Sequence, residues 1–132
     1  MTESFQLSTI LPATPKSIYH AWLNGGEHGT FTGSHATVDP RPGGKFTAWD
    51  GYIWGTNLEL EMNRRILQSW RTSDFPEDSE DSRLEILLEE VKDGTKVTLI
   101  HTQIPEGQGE EYRRGWEEWY FEPMNQYFSK QG

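Results

Sequence analysis

Cysteine is absent from the 132 residues, so disulfides, a thiolate nucleophile and cysteine-ligated zinc are all excluded. Basic residues are scarce as well: 12 Lys and Arg stand against 21 Asp and Glu, a formal charge of −9. A field of that sign repels phosphate backbones and anionic lipid surfaces, so neither nucleic acid nor membrane is an expected partner. No apolar run approaches the ~18 residues of a membrane span, and Met1 to Leu11 lacks the basic and apolar regions of a secretory leader. The expected compartment is the cytoplasm. Apolar residues reach only 33%, which by itself would suit disorder. Six tryptophans, five tyrosines and six phenylalanines reverse that inference, because aromatic side chains bury the most area each. A single domain over residues 1–132 is expected, with one core.

Hydrophobic period and punctuation lay out the elements. Phe5, Leu7, Thr9 and Leu11 share one parity and predict a strand over Ser4 to Leu11. Thr14-Pro15 is an N-cap followed by a proline suited to the first helical turn, and Ile18, Tyr19 and Trp22 fall at helical spacing up to about Leu23. Asn24-Gly25-Gly26 stops that helix, Glu27 to Phe31 suits one more turn, and a strand is expected near Ser34 to Val38. Beyond the turn at Asp39 to Gly44 the period is close to two. It predicts antiparallel strands at Lys45 to Trp49, Tyr52 to Glu61, Arg64 to Thr72, Arg83 to Val91 and Thr95 to Ile104. Between the third and fourth of these, Asp74 to Asp81 carries five carboxylates, and their repulsion predicts a mobile loop. The last element is a helix from about Gln108 to Lys130, with Tyr112, Trp116, Trp119, Tyr120, Met124 and Tyr127 on one aromatic face. Pro123 predicts a bend or a break in it. Together these elements make an α+β domain whose last helix packs on one face of a sheet.

Few motifs carry chemistry. Gly43-Gly44-Lys45-Phe46 lacks the upstream glycine and the hydroxyl residue of a phosphate loop and reads as a turn entering a strand. His20, His28, His35 and His101 show no metal-ligand spacing, and neither a metal nor another cofactor is expected. No nucleophile elbow is present. His101 shares strand parity with Val97 and Leu99 and should point inward, where it is either a hydrogen-bonded core histidine or a proton-transfer base. Asp50, Glu59, Glu61 and Glu85 are its candidate carboxylate partners. Trp22, Trp49, Trp54, Trp70, Trp116, Trp119 and Tyr120 are either core or pocket wall, and any exposed member would mark a protein-binding patch.

Leu11-Pro12-Ala13-Thr14-Pro15, Pro42 to Phe46, Asp50-Gly51 with Gly55, Ile66 through Trp70-Arg71, Gly94-Thr95, Ile104-Pro105 and Arg114-Gly115-Trp116 through Trp119-Tyr120-Phe121 occur in that order. This series resembles the homology domain of the activators of heat-shock-protein-90 ATPase, within the START-related helix-grip superfamily. The resemblance implies a curved, seven-stranded antiparallel sheet around a long C-terminal helix, with two short helices after the first strand. It also implies a domain that in the eukaryotic co-chaperone follows an N-terminal domain, and a superfamily that includes lipid and hormone carriers, cyclases and aromatases.

Three functional expectations follow. The first is a non-enzymatic binding domain whose hydrophobic cavity, lined by Trp54, Trp70, His101, Trp116 and Tyr120, holds an aromatic or lipid-like small molecule. The second is a co-chaperone-type interaction module, tied to the stress response, whose acidic surface meets a heat-shock chaperone. The third is a cyclase- or dehydratase-like enzyme with His101 as base. Of these, binding is favoured over catalysis.

Overall fold

The computed structural model describes residues 1–130. Strand β1 (Thr2–Leu11) leads into helices α1 (Pro15–Leu23) and α2 (Gly25–Thr32). Strands β2 (Thr37–Val38), β3 (Lys45–Ala48), β4 (Ile53–Glu61), β5 (Arg65–Thr72), β6 (Ser82–Val91) and β7 (Gly94–Pro105) follow. The chain then runs through α3 (Gly109–Trp116), a π-helical segment (Glu117–Phe121) and α4 (Glu122–Ser129). The strands form one seven-stranded antiparallel sheet in the order β1-β7-β6-β5-β4-β3-β2.

Local chemistry sets the element ends. The Thr14 hydroxyl accepts the Ser17 N–H at 3.1 Å to cap α1, and Asn24, which ends that helix, caps α2 by accepting the Glu27 N–H at 2.9 Å. Asn24-Gly25-Gly26 is therefore a junction between two helices. The hairpin at Gly94 closes against the end of β1: its φ is +143°, and a Cβ there would lie 2.0 Å from the Leu11 carbonyl oxygen, so only glycine fits. Glu3 on β1 accepts the backbone N–H groups of Gly107 and Gly109, at 2.9 and 2.8 Å, and thereby ties the first strand to the start of α3. Those two donors hold its carboxyl below the usual carboxylate range.

Alternation along the strands buries one sheet face. Ile66, Gln68, Trp70 and Thr72 of β5, Leu84, Ile86 and Leu88 of β6, and Val97, Leu99 and His101 of β7 all lie beneath the helices. The outer face is polar and ion-paired, with Arg65 bonded to Glu59 and Glu85. Two buried amides sit at the β4 bulge, where Gln68 donates to Asn57 at 2.8 Å and Asn57 donates to the Asp39 carbonyl at 2.9 Å.

One expectation needs correction, and the disturbance expected at Pro123 takes a particular form. The acidic stretch from Asp74 to Asp81 is anchored. Arg71 donates to the carbonyls of Ser79 and Pro76 at 2.7 and 2.8 Å, pairs with Asp81 at 3.1 Å, and lies over the Phe75 ring at 5.4 Å. Phe75 itself is buried in the core. One guanidinium thus offsets the repulsion that composition alone suggested. Pro123, for its part, neither breaks nor ends the last helix. The preceding turn widens instead, and Glu122 N–H reaches the Glu117 carbonyl, five residues back. A proline cannot donate and collides with the carbonyl four residues before it, and a π-helical turn moves that carbonyl aside.

The same widened turn changes which side chains face inward. Tyr112, Trp116, Tyr120, Phe121, Met124 and Phe128 are buried, whereas Trp119, expected on the buried face, is 59% exposed. Within the widened turn Tyr120 and Phe121 are both buried and Trp119 faces outward.

Candidate functional site: an aromatic groove along the last helix

Four of the five expected site residues come together. Trp70, His101, Trp116 and Tyr120 are all buried. Trp70 meets His101 edge-on at 4.6 Å, Trp116 lies 5.7 Å from Trp70, and Tyr120 lies 4.5 Å from Trp116. Trp22 of α1 stacks on the other side of Trp116 at 6.0 Å. These rings fill the space between sheet and helix where a hydrophobic cavity was expected. Trp54 lies apart from them. Its strand neighbours Ile53 and Gly55 point inward, so Trp54 projects from the opposite sheet face and is 39% exposed.

His101 is fully committed to this core. The Trp116 indole N–H donates to its Nδ1 at 3.1 Å. Its Nε2 therefore carries the hydrogen and donates to the Ser82 hydroxyl at 2.8 Å, which in turn donates to the Trp70 carbonyl at 2.7 Å. Burial pushes the His101 pKa down to about 3. The ring is neutral with no lone pair left for a substrate, so the geometry is that of a satisfied core histidine. None of the four carboxylates considered as its partners bonds to it. A second buried histidine, His28, repeats the pattern: its Nδ1–H donates to the Trp22 carbonyl and its Nε2 accepts from the Tyr120 hydroxyl, both at 3.0 Å. Burial lowers its pKa to about 4 and raises that of Tyr120. Among the described residues no group of three or more His, Asp or Glu side chains could hold a metal ion.

Open space lies beside this core. A groove of about 710 Å³ runs along the last helix, with Trp70, Trp116 and Tyr120 in its floor. Its rim is made by Trp49, Tyr52 and Ile53 from the β3–β4 hairpin and by Glu111, Arg114, Glu118 and Trp119 from the helix. The Trp49 and Trp119 rings stand nearly perpendicular, 6.2 Å apart at 79°. Trp49 and Asp50 both adopt positive φ, 54° and 60°, a conformation that non-glycine residues seldom take. The Asp50 N–H holds the turn by donating to the His35 carbonyl at 2.9 Å. At the groove's polar end the Tyr112 hydroxyl meets Thr72 at 2.8 Å and donates to Gln108 at 2.7 Å, while Tyr52 donates to Asp74.

Gly115 lines the groove with open space above it. It sits inside the helix, where glycine costs about 0.8–1.0 kcal/mol relative to alanine. Its position does not require that cost, since an added Cβ would meet only Trp119 Cδ1, at 3.9 Å. Tyr52, Glu111 and Glu118 were not singled out as site residues by the sequence, whereas Trp49 stood among the rings that could be core or pocket wall. The place of Tyr52 beside Asp50-Gly51 and of the two glutamates on the helix is visible only once the hairpin and helix face each other.

A curved antiparallel sheet gripping a long helix, with a solid aromatic core and an open groove, defines a helix-grip α+β domain. The family model described as Activator of Hsp90 ATPase homolog 1-like protein matches residues 12–129, and the chain belongs to that family. It is 28% identical over 115 residues to an activator of 90 kDa heat shock protein ATPase homolog of Dictyostelium discoideum, covering 87% of this chain and 30% of that protein. Its identity to the human activator homolog 1 is 27% over 115 residues, covering 87% and 34%. The chain therefore spans about a third of the length of these curated relatives. Among solved structures, an HSP90 activator from Plasmodium falciparum superposes with a TM-score of 0.86 at 25% identity, over 96% of each chain. CalU16 from Micromonospora echinospora gives 0.80 at 26% identity, over 98% of this chain and 78% of that one. No described helix is long and apolar enough to cross a membrane.

Proposed function

We propose that this domain is a co-chaperone-type protein-interaction module that docks an Hsp90-class chaperone in the cytoplasm through the groove beside its last helix. One observation carries the reading: the interior is packed with the domain's own rings, and the most exposed tryptophan, Trp119 at 59%, stands on the rim of an open groove. An exposed indole at the edge of an apolar groove is the usual anchor of a protein interface. Family membership and the likeness to an HSP90 activator support the choice of partner. The test is titration of a purified Hsp90-class chaperone at low salt. Trp119→Ala should keep the fold within about 0.5 kcal/mol and weaken binding about tenfold or more. No binding by the parent protein, or equal binding by the variant, would sink the reading.

A second reading is favoured by the groove's volume. About 710 Å³ falls within the ~300–1,000 Å³ range of small-molecule sites, so an aromatic or lipid-like molecule would have room there, lying in the groove against Trp70, Trp116 and Tyr120. Native mass spectrometry of freshly purified protein tests it: an added mass that leaves on denaturation supports a carried ligand, and saturating candidate ligands without any mass shift counts against one.

A further inference from the structure

We propose that the groove receives a cation, the ammonium or guanidinium of a lysine or arginine side chain on a basic segment of the docking partner. The proposal rests on the docking reading above and adds the chemistry of the segment that docks.

Aromatic geometry is the first support. Trp49 and Trp119 form a corner of two perpendicular rings with centroids 6.2 Å apart. A cation seated in that corner over a ring face would lie within about 6 Å of its centroid, the range over which the negative face of the ring quadrupole attracts it. Trp49 is held there by a turn in an unfavourable backbone conformation, and such strain persists where the surrounding structure over-determines it, commonly at ligand sites.

Charge is the second. Glu111 and Glu118 stand on the helix lip, with Arg114 between them at three- and four-residue spacing. None of the three takes part in an ion pair among the described residues. Two carboxylates against one guanidinium leave the lip acidic, in a protein whose formal charge is −9, and this field favours a cation on approach and in place. An unpaired Arg114 is also the feature that a competing anionic ligand would use, so its substitution gives opposite results for the two charges.

The experiment follows the tryptophan indole N–H resonances of the whole protein while titrating choline, a compact cation, and separately 3,3-dimethylbutan-1-ol, its neutral isostere. Choline should shift the Trp49 and Trp119 signals and bind roughly three- to thirtyfold more tightly than the alcohol. Arg114→Gln should tighten choline about two- to threefold and Glu118→Gln should loosen it by a similar factor. Both sites are exposed, so both variants should fold. Equal affinity for the two probes, no shift with choline, or looser choline binding in Arg114→Gln would each overturn the proposal. Parallel titration of the chaperone separates this from the reading it rests on: loss of chaperone binding in Trp119→Ala with no choline site retains docking and removes the cation, whereas a choline site without chaperone binding removes the docking.

Discussion

The indole N–H of Trp116 donates to Nδ1 of His101 at 3.1 Å, and this bond fixes both the tautomer of the histidine and the position of the helix over the sheet. Every polar atom in the run from Trp116 through His101 and Ser82 to the Trp70 carbonyl has a partner. Trp116→Phe keeps a ring in the core and removes one donor, leaving a buried nitrogen without its bond. The expected loss is about 1–3 kcal/mol in urea denaturation. A loss close to zero would mean that water or a rearranged hydroxyl satisfies His101.

Two buried neutral histidines make the fold sensitive to acid. In the folded state burial holds His28 at about 4 and His101 at about 3, against an ordinary 6.5. An unfolded chain therefore binds more protons than the folded one between pH 6.5 and these lower values, so stability is full above 6.5 and falls as pH falls through this window. Moving from pH 7 to pH 5 should cost on the order of 2 kcal/mol for each ring. Glu3, held low by two backbone donors, acts in the same direction at lower pH. A fall in the thermal midpoint over this range, with ring resonances of His28 and His101 that do not titrate, would agree. Ring signals that shift between pH 7 and pH 5 would refute it.

Arg71 is the hub of the acidic loop, and its removal should release that loop without unfolding the sheet. Arg71→Met keeps the stem and removes the bonds to Ser79, Pro76 and Asp81. Amide exchange from Asp74 to Asp81 should then rise by an order of magnitude or more, while β6 and β7 remain protected. Equal exchange in the two proteins would show that Phe75, buried beside Trp70 at 6.1 Å, holds the loop by itself.

Much of the fold was legible because its signals are local. Thr14-Pro15, Asn24-Gly25-Gly26 and Lys92 to Thr95 each specify a cap or a turn through their own backbone chemistry, and the strand period carries the meander. The pairing of β1 with β7 is not local and shows only in the folded sheet. At the site, Trp70, His101, Trp116 and Tyr120 were recoverable from parity and helical spacing. Trp54 was misplaced because one step of parity decides between opposite sheet faces, and aromatic character does not reveal which. Trp119 was misplaced for a different reason: a regular 3.6-residue period puts it beside Trp116, and only the widened turn before Pro123 rotates it outward. The repulsion among Asp74 to Asp81 was correctly read, but the guanidinium that answers it lies on β5 and is brought close only by the fold.

Gly115 offers the sharpest separation of stability from function. In a helix with open space above it, alanine should be the more stable residue, because the unfolded chain loses freedom and the helix gains propensity. Gly115→Ala is expected to raise stability by about 0.5–1 kcal/mol, and its single methyl group, 3.9 Å from Trp119, should leave the groove usable. Gly115→Leu places a branched side chain over the floor formed by Trp116 and Tyr120. It should fold as well as the parent while lowering affinity for the chaperone, and for choline, about tenfold or more. Denaturation curves and titrations on the three proteins check both halves. Were leucine to bind as well as glycine, the groove would have no part in recognition, and the glycine would need a reason outside it.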